Sequence, residues 1–207
     1  VRNLATPMLM QDLERVNAHM SGTGTNQTYN TLLLLSGRGE VASTYRKQKR
    51  IAFGEFMPLL ESGSVMHSWV QAIIGDFLTN IAQGQENVVF SAAGMHIIPL
   101  ICYEVLFPGF VAQATAEVPA GGVMFTASFD GWFGQTHAPY QHLASSKIRA
   151  VENRLPLVHA INNGPSAVIM PSGETIAQTK AFVKTAVTVE MPYSERVNGS
   201  FYSHHPQ

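Results

Sequence analysis

Cys102 is the residue whose chemistry attracts attention first, because it is the single cysteine among 207 residues. It follows the apolar residues 97–101 and is itself followed by Tyr103 and Glu104. An apolar run of this kind predicts a buried strand, with Cys102 near its carboxyl end, where ligands are bound in layered α/β folds. A thiolate there can attack an acyl carbonyl carbon. The alternative is a buried cysteine that only fills space.

Short polar and aromatic motifs accompany Cys102 in a fixed order along the chain. They are Tyr45-x-Lys47, Phe53-Gly54-Glu55, Cys102-Tyr103-Glu104, Asp130-x-Trp132-Phe133-Gly134, Gln141-His142, Arg149-Ala150-x-Glu152 and Asn162-Asn163-Gly164. This series resembles the carbon–nitrogen hydrolase (nitrilase) superfamily. Within the superfamily it is most similar to the extracytoplasmic domain of the apolipoprotein N-acyltransferases, and the resemblance covers about residues 29–192.

The resemblance implies a Glu-Lys-Cys catalytic triad. Cys102 matches the nucleophile, Lys47 the triad lysine and Glu55 an accessory glutamate, while Tyr103 and Glu104 match the residues after the nucleophile. A cation at Lys47 would lower the pKa of the thiol from about 8.5 and stabilise an oxyanion, helped by a backbone N–H after Cys102. Glu55 would hold the lysine, and Glu104 would move a proton or order the site.

Several of these residues also have a structural interpretation. Lys47 lies in a cluster of cations at residues 46–50, and such clusters are usually solvated. The structural interpretation predicts that Trp132 and Phe133 pack in the core. Gln141-His142 and the Arg149…Glu152 pair suit structural roles, and the histidines lack the companions of a metal site. We therefore expect neither a metal nor a cofactor.

One part of the superfamily pattern is missing. The triad glutamate is expected several tens of residues before the lysine, at the end of a strand that reads Trp-Pro-Glu, and no such segment precedes Lys47. Either the base lies upstream of Val1 or outside the structure, or the protein is not a working enzyme. Phe129 and His159 also stand where the acyltransferase branch has Asn and often Arg.

Three functions follow as hypotheses. The first is thiol-dependent acyl transfer from a phospholipid to the amino group of a lipoprotein, at the periplasmic face of a bacterial inner membrane, with membrane attachment through a part not in this chain. The second is a soluble, cytoplasmic amidase in which water accepts the acyl group. The third is a non-catalytic nitrilase-like component of a conjugal-transfer or secretion apparatus. A shared fold does not choose among them.

The predicted fold class is α/β, a four-layer αββα sandwich with mixed sheets. One domain is expected over residues 1–192, with its N-terminal part incomplete, followed by a loose polar tail at 193–207. The apolar spacing predicts a helix that starts at Thr6 and Pro7 and is ended by Gly22 and Gly24, and further helices at residues 68–78, 111–116 and 140–153. Strands are predicted at residues 29–35, 41–45, 87–91, 95–105, 123–128, 157–161, 166–170 and 186–190.

The composition excludes several classes of function. Charged residues make up 13% of the chain and the formal net charge is -1, so no nucleic-acid footprint is present. A single cysteine excludes an intrachain disulfide and a CxxC metal site. No stretch approaches the roughly 20 apolar residues of a membrane helix, and residues near Val1 do not form a signal peptide.

Overall fold

The first sheet is antiparallel and has three strands. A computed structural model describes residues 6–21, 26–52, 54–56, 81–116, 118, 122–193 and 200–205. Strands β1 (Met8–Val16), β2 (Gln27–Leu35) and β3 (Val41–Arg46) follow one another in the sheet in chain order. A short helix, α1 (Ala18–Ser21), lies between β1 and β2. This sheet carries Lys47 directly after its last strand.

The second sheet is mixed and has six strands in chain order. Its strands are β4 (Phe90–Ala92), β5 (Met95–Ile101), β6 (Val123–Phe129), β7 (Leu157–Asn162), β8 (Ala167–Ile169) and β9 (Thr175–Gln178). The central strands β5, β6 and β7 run parallel, and the outer pairings are antiparallel. Helix α2 (Pro108–Ala116) connects β5 to β6, and helix α3 (Ala138–Asn153) connects β6 to β7. Because β5, β6 and β7 are parallel, the residues that follow them meet at one edge of the sheet.

Two apolar clusters hold the layers together. Between the sheets, buried side chains of the first sheet pack on those of the second: Leu32, Leu34 and Tyr45 against Phe90, Ile97, Ile101 and Ala127. On the other face of the six-stranded sheet, helices α2 and α3 cover a second cluster that includes Leu100, Met124, Leu143, Ala150 and Leu157. The predicted α/β class with mixed sheets is confirmed.

Most predicted elements of the second sheet are present. Strands form at β5, β6 and β7, and α2 and α3 begin within three residues of their predicted starts. The predicted hairpin of residues 29–45 also forms, as β2 and β3. The predicted helix at residues 68–78 lies outside the described residues.

The predicted helix between Thr6 and Gly22 is wrong over residues 8–16. These residues form β1, and all nine residues of that strand pair with β2, from Met8 opposite Leu35 to Val16 opposite Gln27. Apolar spacing near 3.6 was compatible with a helix, but a long antiparallel ladder provides each backbone group with a partner and overrides the local preference. Leu9 then packs against the cluster between the sheets.

The carboxyl-terminal part of the chain also differs from expectation. Residues 186–190 form no ladder with any described strand, whereas β9, which was not predicted, pairs with β8. Residues predicted to form a loose tail include a short helix, α4 (Phe201–His204), which contacts α2 and α3. The predicted limits of the domain stay a prediction. Of the helices described, none has the length and apolar character needed to cross a membrane.

The apolar cluster covered by helices α2 and α3 leads to a prediction about stability. Replacing Leu100 by Ala should lower the free energy of unfolding by about 2–5 kcal/mol, because Leu100 is fully buried and a cavity would remain. Urea unfolding followed by circular dichroism measures this loss. The control is Ile148→Ala on α3, where the side chain is 51% exposed and the change should stay near 0.5 kcal/mol. Equal losses in the two variants would contradict the assigned core.

Candidate active site

Cys102 lies in a sharp elbow at the end of β5. The strand ends at Ile101, and Cys102 opens a single 3-10 turn, Cys102–Leu106. Its φ angle is +53°, in the left-handed region that disfavours residues with a side chain. Holding a non-glycine residue there costs about 1–3 kcal/mol, and such strain concentrates at functional sites. The elbow is therefore a feature that the surrounding structure must stabilise.

The buried Lys47 forms an ion pair with Glu55, which is partly buried. Lys47 is completely inaccessible to solvent, and its Nζ lies 2.8 and 2.7 Å from the two carboxylate oxygens of Glu55. One of those oxygens also accepts a hydrogen bond from the backbone N–H of Ile51, at 2.9 Å. The interpretation of Lys47 as one of several solvated cations is wrong. Burying an ammonium requires a partner, and Glu55 provides it.

Neighbouring main-chain groups fix the backbone at Lys47. The N–H of Lys47 donates to the carbonyl of Asn30 at 2.8 Å, and its own carbonyl accepts from the N–H of Gly84 at 2.8 Å. Position 84 needs glycine, because a Cβ atom there would lie 2.1 Å from the carbonyl oxygen of Arg46. The lysine is thus held from both sides by residues distant in sequence.

Glu104 joins the lysine segment to the cysteine elbow. Its fully buried carboxylate accepts hydrogen bonds from the backbone N–H groups of Gln48, Lys49 and Ile101, at 2.6, 3.0 and 2.7 Å. The hydroxyl of Tyr45 donates to both carboxylate oxygens at 2.9 Å. Burial raises the pKa of Glu104, and the donors act in the opposite direction. Each of these contacts is made to a donor, so the carboxylate joins the segment after β3 to the end of β5.

Cys102 is partly buried, and charges of both signs act on its thiol. Burial raises its pKa above the ordinary value. The positive charge of Lys47 and a hydrogen bond with Ser128 lower the pKa, and the negative charges of Asp130 and Glu55 raise it. The net direction is upward, so the resting thiol is predominantly protonated at neutral pH.

Asp130 and His142 lie on the other side of the elbow. Asp130 follows β6 and is fully buried, and its carboxylate accepts from the Ser128 hydroxyl at 2.8 Å. His142 Nδ1 lies 3.0 Å from Asp130 Oδ2, and His142 Nε2 lies 3.1 Å from the carbonyl oxygen of Cys102. A Cβ at Gly164 would come within 3.1 Å of Asp130 Oδ2, so the Asn-Asn-Gly turn packs closely on this carboxylate.

The structure brings most of the predicted motifs together at one edge of the sheet. Tyr103 is 37% exposed and packs edge-on against Phe107. The Arg149–Glu152 ion pair forms within α3, as expected for residues three apart. The expectation that Trp132 and Phe133 are core residues is wrong, because they are 76% and 43% exposed. Catalytic roles for Cys102, Lys47, Glu55, Tyr103 and Glu104 remain predictions.

Sequence reasoning missed the contacts that surround the elbow. It regarded His142 as structural without identifying its contact with Cys102, and it assigned Asp130 no function. The available signal was that Cys102 and Asp130 each follow a parallel strand, which places them at one sheet edge. Within the described ranges, no group of three or more His, Cys, Asp or Glu side chains is arranged to hold a metal ion.

The electrostatics of the thiol can be tested by alkylation. Replacing Lys47 by Met should move the midpoint of the pH profile for iodoacetamide alkylation of Cys102 upward, because the charge that favours the thiolate is removed. Mass spectrometry measures the reaction at the single cysteine. Lys49→Met is the control, since Lys49 is not among the charges that act on Cys102 and its ammonium lies over the Phe110 ring. A downward or absent shift in Lys47→Met would contradict the assignment.

The ordering role of Glu104 can be tested through stability. Glu104→Gln should lower the free energy of unfolding at pH 7 by about 1–3 kcal/mol, because the amide NH₂ would face N–H donors and leave them unsatisfied. The matched control is Glu40→Gln in the exposed hairpin turn, expected to change stability by less than about 0.5 kcal/mol. If urea unfolding gives the same small change for both, Glu104 does not join these segments.

Comparison with known proteins relates this geometry to a family. The family model for carbon-nitrogen hydrolase matches residues 13–197. An apolipoprotein N-acyltransferase of Rhizobium etli is 33% identical over 166 residues, which cover 78% of this chain and 30% of that protein. The enzyme of the same name in Rhodopseudomonas palustris is 37% identical over 175 residues, or 83% and 31% of the two chains. The chain thus spans about a third of the length of these curated relatives.

Solved structures agree on the fold. An amidase from Nesterenkonia sp. superposes with a TM-score of 0.57 at 19% identity, covering 84% of this chain and 57% of that one. A glutamine-dependent NAD+ synthetase from Acinetobacter baumannii superposes with a TM-score of 0.63 at 15% identity, covering 86% and 30%. With the family model matching from β1 to beyond β9, the chain belongs to the carbon–nitrogen hydrolase family.

Proposed function

We propose that this chain carries the thiol site of an acyltransferase that moves an acyl chain from a phospholipid to a lipoprotein amino group. The observation that carries the proposal is the elbow at Cys102, whose thiol is within the electrostatic influence of the buried Lys47 ammonium. The names of the relatives, all at more than 30% identity, supply the substrate class. By the same argument we place the activity at the periplasmic face of a bacterial inner membrane.

The proposed reaction has two steps. In the first, the Cys102 sulfur attacks the ester carbonyl of the phospholipid, a C–S bond forms, and the C–O bond breaks to release a lysophospholipid that takes the thiol proton. In the second, the lipoprotein amine attacks the thioester, a C–N bond forms, the C–S bond breaks, and the cysteine sulfur takes the proton that the amine loses. Both steps pass through an oxyanion, which Lys47 and the backbone N–H of Tyr103 would stabilise.

A base must accept the proton of the thiol, since the pKa of Cys102 is raised. The carboxylates around the site are already engaged. Glu55 is paired with Lys47, Glu104 accepts four donors, and Asp130 binds Ser128 and His142. We therefore assign the base to a residue outside the described ranges and give Glu55 the role of holding the lysine.

Exposed apolar side chains at the same sheet edge suit an acyl donor. Leu106 after the elbow is 40% exposed, and Phe129 and Trp132 after β6 are 43% and 76% exposed. Phe129 and Trp132 pack edge-on, with ring centroids 6.0 Å apart. An apolar surface next to a nucleophile favours a long acyl chain over a small polar amide. For this reason we prefer acyl transfer to the amidase hypothesis.

Intact-protein mass spectrometry tests the proposal. The chain incubated with phosphatidylethanolamine vesicles should gain the mass of one acyl chain, and hydroxylamine should remove it, because a thioester is cleaved by this nucleophile. The Cys102→Ala variant should gain nothing.

Alkylation with iodoacetamide in parallel shows that the thiol is free to react. If Cys102 is alkylated but acquires no acyl mass, the acyltransferase proposal fails for this chain. Ammonia release from short amides would then favour the amidase hypothesis, and inertness to both substrates would favour the non-catalytic one.

A further inference from the structure

His142 lies where it can control the shape of the nucleophile elbow. It is carried by α3 and is 7% exposed. Its Nε2 atom lies 3.1 Å from the carbonyl oxygen of Cys102, and its Nδ1 atom lies 3.0 and 3.2 Å from the two carboxylate oxygens of Asp130. The ring therefore bridges a buried carboxylate and the main chain of the strained residue.

The hydrogen-bond partners define what the ring must donate. A backbone carbonyl oxygen can only accept a hydrogen bond. Nε2 must therefore carry a proton and donate to the carbonyl of Cys102. Asp130 also accepts from the Ser128 hydroxyl at 2.8 Å, and the contact of Nδ1 with Asp130 fixes the orientation of the ring.

We propose that His142 is a positioning residue, which holds Cys102 in its left-handed conformation by donating an Nε2 hydrogen bond to the Cys102 carbonyl. The left-handed conformation is unfavourable for a residue with a Cβ, so a specific contact is needed to maintain it. The hydrogen bond opposes relaxation of the elbow and keeps the thiol close to Lys47 and Ser128. The proposal extends the function above, because it takes Cys102 to be the nucleophile.

The geometry also distinguishes this role from that of a general base. Cysteine, histidine and aspartate together are the composition of many thiol hydrolases, in which the ring contacts the sulfur. Here His142 contacts the main-chain oxygen of Cys102 and the carboxylate of Asp130. His159, whose ring lies edge-on at 5.0 Å from that of His142, is buried, and burial together with His142 lowers its pKa well below the ordinary value. His159 is therefore neutral at pH 7.

A matched pair of substitutions separates the two ends of the His142 ring. His142→Gln places an amide NH₂ near the position of Nε2 and can still donate to the Cys102 carbonyl. His142→Asn places its amide near Nδ1 and keeps only the contact with Asp130. The readout is the pH profile of iodoacetamide alkylation at Cys102, which requires no acyl transfer. The charges that face the thiol from neighbouring segments are Lys47, Glu55 and Asp130, and both variants retain them.

We expect His142→Asn to slow alkylation at neutral pH by about tenfold, the equivalent of one lost hydrogen bond, and to raise the midpoint of the profile. His142→Gln should stay within about threefold of the unmodified chain. Equal effects of the two variants, or no effect of either, would overturn the proposal. The ¹⁵N signals of the His142 ring in the unmodified chain give an independent test, since an Nε2 atom without a proton would overturn it even if a variant failed to fold. Failure of acyl transfer alone, with this alkylation pattern intact, would bear only on the function proposed above.

Discussion

The arrangement of the site depends on one buried carboxylate. Glu104 accepts hydrogen bonds from Tyr45 at the end of the first sheet, from Gln48 and Lys49 in the segment after it, and from Ile101 at the end of β5. The contact with Tyr45 joins residues 59 apart in sequence and links the two sheets. Because three of the donors are backbone N–H groups, the carboxylate fixes main-chain positions, and the side chains of Lys47 and Cys102 follow from them.

A buried carboxylate in this position connects the two segments effectively because it depends on the hydrogen-bond donors that surround it. Removing a charged group from water is costly, and the cost is offset only when the lone pairs are satisfied by donors. Burial and the charge of Glu104 also raise the pKa of Tyr45, so that its hydroxyl remains a donor. A shift of the Lys47 segment away from the elbow would remove the partners of the Gln48 and Lys49 N–H groups and of the Glu104 carboxylate at the same time. The contacts are therefore cooperative.

Sequence patterns predicted the parts of the fold in which local and tertiary preferences agree. The buried run at residues 97–101, the hairpin of β2 and β3, and the amphipathic helix α3 each combine a clear periodicity with turn residues at their ends. Residues 8–16 were mispredicted because their apolar spacing fits a helix as well as a strand, and only pairing with β2 decides between the two. Residues 186–190 show a different error. Their apolar alternation predicted a strand, but a strand also needs a neighbouring strand with which to pair.

The site could be predicted only in part for a similar reason. The resemblance placed Cys102, Lys47, Glu55 and Glu104 in one site, and the structure brings them together, but residue types could not show which atoms meet. Whether Glu104 moves a proton or orders the site depends on the identity of its neighbours, and all of these are donors. His142 contacts the backbone carbonyl oxygen of Cys102, and no residue type in the sequence indicates a contact of this kind.

The balance of charges at Cys102 restricts how the thiol can react. Burial, Asp130 and Glu55 raise its pKa, and only Lys47 and Ser128 oppose them. A thiol in this environment is not a standing thiolate, which would be exposed to oxidation and to indiscriminate electrophiles. In the reaction proposed above, the thiol would react when a base takes its proton as the acyl carbonyl approaches, and the negative charge would pass from sulfur to an oxyanion beside the lysine. In that proposal nucleophilicity at the elbow is linked to substrate binding, and the Lys47–Glu55 pair would do more to stabilise the intermediate than to activate the resting thiol.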